Sequence, residues 1–312
     1  MELKATSLGK HLAQHPYNRV RLLNAGVEVS GEKHEYLIPF NQLLSIACKR
    51  GLVWGELEFS LPDDKVVRLH GTEWNETQRF YHYLSLAWQQ WSQEMSEVAA
   101  GVLNQQAEAI RLAAQQDRWL KRSDISSWQQ AIRKSFDAVP LPVSRLDEFD
   151  NCREPWRYCQ QWLNDSESQR VTRNARWTDR MLEQHADYFE QVESSPLNPS
   201  QARAVVNGED SVLVLAGAGS GKTSVLVARA GWLILRKQAT AEQVLLLAFG
   251  RKAAEEMNER LRSRLHSEDF SARTFHSLAL HIIRQGSNKS PVISKLESDT
   301  AARHDLLISV WQ

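Results

Sequence analysis

At 312 residues and 42% hydrophobic content, the chain is long enough for about two packed domains. Its 38 basic and 38 acidic residues cancel, which excludes a polycation, so any nucleic-acid contact must come from a local patch or groove. Cys48, Cys152 and Cys159 show neither a disulfide framework nor paired zinc spacing, MELKATSLGKHLAQ lacks the apolar core of a signal peptide, and no run approaches the ~18 apolar residues of a membrane span, so a soluble cytoplasmic protein is expected.

Residues 1–92 read as a β-rich module. YNRVRLL, GVEVSG and HEYLIPF are short alternating runs broken by Asn24-Ala25-Gly26 and Gly31-Glu32-Lys33. LLSIACKRG, VWGELEFSL and VVRLHG follow, the last two separated by the turn Pro62-Asp63-Asp64. This is the spacing of hairpin-linked strands. The period then changes, and Trp74, Phe80, Tyr81, Leu84, Ala87, Trp88 and Trp91 fall on one helical face. A small curved sheet closed by a helix resembles the pleckstrin-homology-like fold at the level of pattern. Residues 1–90 hold ten basic and ten acidic groups, which weighs against a phosphoinositide ligand and leaves docking of a protein partner or of DNA.

Residues 93–193 read as a helical arm or linker. QEMSEVAAGVLNQQAEAIRLAAQQDRWLKR contains no proline and one glycine, with apolar residues at Val98, Val102, Ala109, Leu112 and Ala113. SDISSWQQAIRKSF runs as a second helix, and Val139-Pro140-Leu141-Pro142 is a stiff break. Trp156 to Glu190 reads as one further long helix, and the whole segment as a spacer.

Residues 194–312 read as α/β. VLVLAG and EQVLLLAFG have the low alternation of strands buried on both faces of a parallel sheet, with helices starting at Gly221, at Arg251 and within SLALHIIRQ. The first strand runs into Ala216-Gly217-Ala218-Gly219-Ser220-Gly221-Lys222-Thr223, which fits a phosphate loop with alanine in the first position. A triphosphate needs several backbone N–H groups pointed at it, so the loop must approach closely and take unusual torsions, which Gly217, Gly219 and Gly221 are expected to supply. The helix that follows aims its positive end at the phosphates. Lys222 should reach the β and γ oxygens of ATP, and Thr223 should place its hydroxyl on Mg²⁺.

Three further stretches carry a family resemblance. LNPSQARAV, just upstream of the loop, resembles the adenine-recognition motif of UvrD/Rep-like superfamily 1 helicases, and AGAGSGKT has the form that family uses. LLLAFGRKAAEEMNERL resembles the family's motif Ia and TFHSLAL its motif Ib. The resemblance is specific over Pro196 to Leu280. It implies a RecA-like ATPase domain, so the fold class expected is multidomain α+β: a PH-like module with capping helix, a helical arm, and a partial P-loop domain. It also implies that Gln201 offers a donor and an acceptor to the adenine edge. Phe249 would stack on a base, Arg251 and Lys252 would lie near backbone phosphates, and Thr274 and His276 would contact phosphate or sugar of single-stranded or partly duplex DNA. The bland alternatives are a core residue for Phe249, a solvated helix start for Arg251 and Lys252, and a helix cap for His276. Residues 201–312 hold fifteen basic and eleven acidic groups, a mild bias toward an acidic partner.

The activity implied is ATP-driven 3′→5′ translocation on single-stranded DNA with duplex unwinding. Phosphoryl transfer also needs an acidic group on Mg²⁺, a carboxylate to orient water and arginines for the developing charge. The family supplies its carboxylates as an Asp-Glu pair after a buried strand. After Thr223 no such pair occurs: Glu268-Asp269 is in reverse order in a polar turn, and Asp147-Glu148 lies far upstream. The expectation is therefore the N-terminal portion of a helicase, holding ATP but turning it over very slowly. Two other readings use the same residues: a non-catalytic docking module, and a motor that remodels a protein complex such as RNA polymerase.

Overall fold

The computed structural model describes residues 1–12, 16–266, 269–286 and 299–311. Glu268 of the expected polar turn, the end of the MELKATSLGKHLAQ stretch and Gln312 lie outside them. The chain divides into two compact units, Met1–Asn174 and Ala175–Gln312.

The first unit opens with β1 (Glu2–Lys4), α1 (Ser7–Leu12), β2 (Arg19–Leu23), β3 (Gly26–Ser30), β4 (Glu35–Pro39), β5 (Ser45–Arg50), β6 (Gly55–Ser60) and β7 (Val66–Thr72). All six strands expected from the alternating runs form, and β1 and α1 are additions that the sequence did not announce. They make two antiparallel sheets, of order β1-β2-β3-β4 and β5-β6-β7. Period-2 patterning explains the faces. Leu57 and Phe59 of β6 point into the core, while Glu56 and Glu58 point out. There Glu58 accepts from Lys49 at 2.8 Å and from Arg68 at 2.9 Å, cross-strand pairs that fix the register.

α2 (Trp74–Gln115) is one helix of 42 residues. It passes residue 92 without a break, so the step in composition there divides two stretches of a single helix. The reason is that its apolar face continues while its partners change. Phe80 and Leu84 close the core between the two sheets. Ala99, Leu103, Ala107 and Ile110, at spacings of three and four, instead pack on α3 (Arg122–Ala138) and α4 (Asp150–Asn164). Its first turn comes so close to β6 that a Cβ on Gly55 would overlap the Thr77 side chain. The buried Thr72 and Thr77 hydroxyls lie 2.6 Å apart, and Thr72 donates to the Gly55 carbonyl at 2.9 Å.

The stretch expected as one helix from Trp156 to Glu190 is instead α4, α5 (Ser166–Gln184) and α6 (Ala186–Gln191), with breaks at Asp165 and His185. The break at Asp165 lets the start of α5 fold back on the end of α2. α2 has no basic residue in its last turn. Arg173 of α5 donates to the carbonyl of Ala114 in the last turn of α2 at 2.9 Å, to that of the C-cap Gln116 at 2.6 Å and to that of Arg118 in the connector beyond at 2.7 Å. Beside it, Asn174 accepts from the Leu120 N–H at 2.9 Å and donates to the Leu120 carbonyl at 2.8 Å, as a neighbouring strand would. In the same unit burial pushes the Cys159 thiol up to about 11, so the buried cysteine is a packing residue and not a thiolate.

The second unit contains α6, then α7 (Pro199–Val206), α8 (Lys222–Leu235), β8 (Leu245–Ala248), α9 (Arg251–Leu265), β9 (Ser271–Thr274), α10 (Phe275–Gly286) and α11 (Thr300–Trp311). β8 and β9 pair in parallel, with Leu245 opposite Ser271 and Ala248 opposite Thr274. Val227 and Ala230 of α8 pack with Leu246, Met257, Leu261 and Ala272 to form the core. VLVLAG does not form the expected buried strand: Leu213 and Leu215 are 83% and 85% exposed, and no ladder includes the segment. A strand persists only where a neighbour takes its backbone hydrogen bonds, and among the described residues no strand pairs with this segment.

An Arg173→Ala chain should lose about 2 kcal/mol of stability in urea unfolding followed by far-ultraviolet circular dichroism, since three carbonyls lose a charged donor at a helix C-terminus. An unchanged midpoint would mean that water satisfies those carbonyls equally well.

Candidate functional site

α8 begins where the glycine-rich loop ends. Gly219 and Gly221 take φ of 75° and 82°, the left-handed region that glycine alone enters at no steric cost. Gly217 does not, so two of the three expected glycines supply the special torsions and the third supplies open space, with nothing within 4 Å of a Cβ placed there. Gly221 is the N-cap of α8 and carries no capping side chain. The first N–H groups of this 14-residue helix therefore receive no side-chain cap, at its positive end.

The loop satisfies its own outward groups. Ser220 Oγ donates to the Gly217 carbonyl at 2.7 Å, and Lys222 Nζ donates to the carbonyls of Gly217 at 2.6 Å and Ala216 at 3.2 Å. Lys222 is exposed and Thr223 half-buried, next to one another at the helix start. The Thr223 hydroxyl is a hard oxygen donor of the kind Mg²⁺ accepts singly, since that ion keeps most of its waters and takes phosphate oxygens for the rest. Among the described residues no group of three His, Cys, Asp or Glu side chains is placed to hold a metal ion.

Gln201 lies against this loop. Asn198 caps α7, accepting from the Gln201 N–H at 2.9 Å, while Gln201 Oε1 accepts from the Asn198 N–H at 2.9 Å. Pro199 follows at the first helical position, where its missing N–H costs nothing. Gln201 Nε2 then donates to the Ser220 carbonyl at 3.0 Å. The amide is thus partly engaged within the protein, with one hydrogen on Nε2 and one lone pair on Oε1 not used by these bonds.

α8 itself is firmly seated. Tyr188 of α6 donates to the Ala228 carbonyl at 2.5 Å, and Arg229 donates to the Val205 carbonyl of α7 at 2.7 Å. Trp232 packs among His185, Tyr188 and Phe189, with ring centroids 5.1–5.9 Å away. A Cβ on Gly231 would sit 2.6 Å from both the Tyr188 hydroxyl and Leu265, so glycine is what lets α6 and α9 close on this helix.

The other expected residues gather at the C-terminal ends of β8 and β9, the edge where open α/β sheets bind ligands. Phe249 follows β8 and is 98% exposed, so it is no core residue. Arg251 and Lys252 are exposed in the first turn of α9, whose N-cap Gly250 brings no capping side chain. His276 is exposed in the first turn of α10. Thr274 differs from expectation: it is buried, and it caps α10 in exchange with Ser277, its Oγ1 accepting from the Ser277 N–H at 3.2 Å and its N–H donating to Ser277 Oγ at 3.0 Å. That cap leaves His276 without the capping duty considered for it.

Phe275 is a residue that the sequence pattern does not single out. It stands one residue past Thr274 as Phe249 stands one past Ala248, and it too is exposed, at 61%. The signal is present as an aromatic directly after a short strand, but SART is too short and polar to announce β9. Asn258 completes that strand, donating to the Ala272 carbonyl at 2.9 Å and accepting its N–H at 2.8 Å. A cleft of about 890 Å³ opens between α9 and α10, lined by Arg251, Glu255, Arg273, Thr274, His276 and Ser277 among others.

Comparison with known proteins identifies the family. Residues 1–164 match the family described as DNA helicase IV / RNA helicase N terminal, and residues 197–308 match the UvrD/REP helicase N-terminal domain. The whole chain is 69% identical to DNA helicase IV of Escherichia coli K12, of which it spans 46%. It is 43% identical over 88 residues, 28% of the chain and 14% of the relative, to a probable DNA helicase II homolog of Rickettsia conorii. It is 42% identical over 93 residues, 29% of the chain and 13% of the relative, to the ATP-dependent DNA helicase PcrA of Bacillus subtilis. The chain thus spans about half the length, or less, of these relatives. With more than half of its residues under the first family match and the phosphate loop inside the second, the chain belongs to the DNA helicase IV / RNA helicase N-terminal family, followed by the start of a UvrD/REP-type helicase domain.

Proposed function

We propose that this chain binds Mg²⁺-ATP at Ala216–Thr223 and single-stranded DNA across the adjacent strand ends, as part of an ATP-dependent 3′→5′ DNA helicase. The observation that carries the reading is the uncapped start of α8, with two left-handed glycines, Lys222 and Thr223 at one point and Gln201 beside them. Backbone N–H groups and the helix dipole favour the phosphates, Lys222 turns from its carbonyl partners to the β and γ oxygens, and Thr223 holds the ion. When bound, Mg²⁺ offsets charge on the phosphate oxygens. Gln201 reads the adenine edge with its free donor and acceptor.

Phe249 and Phe275 supply two exposed aromatic faces for successive bases, with Arg251, Lys252 and His276 along the backbone phosphates. Thr274 contributes through its cap on α10. Hydrolysis coupled to unwinding belongs to the longer protein that the relatives represent; within this chain no Asp-Glu pair after an apolar strand follows Thr223 to orient water, so its own turnover is slow. The two sheets closed by α2 serve as a pleckstrin-homology-like docking module (residues 1–92) for a protein partner, with residues 93–193 as the spacer. A cytoplasmic location fits these ligands, and among the described residues no helix is long and apolar enough to cross a membrane.

Lys222→Ala should reduce Mg²⁺-ATP affinity at least about tenfold in equilibrium dialysis, the worth of one charge-assisted hydrogen bond. Equal retention by wild type and variant would defeat the nucleotide site. Gly221→Ala should do comparable damage, since its φ of 82° strains any other residue by about 1–2 kcal/mol and the added Cβ meets Gln201 Nε2 at 2.6 Å. In fluorescence anisotropy with an oligothymidine, Phe249→Ala should cost about 1–3 kcal/mol. The double variant Arg251→Ala/Lys252→Ala should flatten the salt slope by about 0.7 for each phosphate that is no longer neutralised. Unchanged slopes would place the DNA elsewhere.

A further inference from the structure

We infer that Gln201 is a positioning residue that holds the phosphate loop in its binding shape, a role separate from reading the base; the inference rests on the nucleotide reading above. A loop that turns its N–H groups toward an anion must turn carbonyls away from it, and each carbonyl so turned needs a donor. At Ser220 that donor is Gln201 Nε2, at 3.0 Å. The peptide joining Ser220 to Gly221 is planar and trans, so its carbonyl and its N–H point in opposite directions. Drawing the Ser220 oxygen toward α7 therefore drives the Gly221 N–H the other way, at the very residue that caps α8 with a φ of 82°.

The side chain that does this is already immobilised. Its Oε1 accepts from the Asn198 N–H at 2.9 Å, which fixes the plane of the amide before any ligand arrives. Gln201 also lies directly on the glycine it positions: a Cβ on Gly221 would stand 2.6 Å from Nε2. Without that donor the Ser220–Gly221 peptide is free to rotate and present an oxygen to the phosphates in place of an N–H. A residue that only reads adenine would matter for ATP and not for a bare polyphosphate. A residue that sets the loop matters for both.

The test uses the 312-residue chain and two ligands, Mg²⁺-ATP and Mg²⁺-tripolyphosphate, in isothermal titration calorimetry. Gln201→Met keeps the length of the side chain and removes its hydrogen bonds. Its affinity for tripolyphosphate should fall roughly 3- to 10-fold, the worth of one hydrogen bond, with ATP falling at least as far. Thermal unfolding of Gln201→Met reports whether α7 keeps its cap, since the Asn198 side chain still accepts from the backbone N–H at position 201. Wild-type tripolyphosphate affinity in a folded Gln201→Met, with loss for ATP alone, overturns the inference. A wild-type chain that binds neither ligand defeats the nucleotide reading first and this inference with it.

Discussion

A helix cannot satisfy its own first N–H groups, and the second unit is arranged around a helix that leaves them open at a glycine loop. α8 has no side chain at its cap, because Gly221 holds that place in a left-handed torsion. The rest of the unit fixes the direction in which this helix points. Tyr188 and Arg229 bond it to α6 and α7, Trp232 anchors it among three rings, and Gly231 lets α9 approach. The parallel pair β8 and β9 lies against its buried face through Val227 and Ala230. The anion site proposed at this helix start requires such support, because its donors act only if they need not reorganise when a ligand arrives.

The same economy of one element serving two neighbours appears in the first unit. α2 closes the two sheets with its first half and founds the helical core with its second. Its length explains why its end needs help from elsewhere in the chain. Arg173 and Asn174, more than fifty residues downstream, take up the carbonyls and the connector that follow it. The sheets, α2 and the start of α5 are therefore bonded into one unit.

What could be read from the sequence followed from local physics. Strands β2 to β7 alternate in period 2, and the phosphate loop needs glycine where φ is positive, so both stood out. The N-cap of α7 was hidden inside a motif read for its chemistry, which is why the bond from Gln201 to Ser220 was not foreseen. β9 escaped notice because SART owes its strand to β8 and to Asn258, contacts that no local pattern encodes. VLVLAG failed in the opposite sense: its side chains suit a central strand, but strand formation depends on neighbours. The capping role of Thr274 was not foreseen, because its partner Ser277 is set by the start of α10 and not by a local pattern.

The most direct test of the account is amide hydrogen exchange of the chain with and without a non-hydrolysable Mg²⁺-ATP analogue, read peptide by peptide. The account predicts slowed exchange at Gly217–Val225 and at the start of α7, with β8 and β9 little changed. Protection confined to the sheets of the first unit, or absent from the loop at saturating ligand, would contradict it.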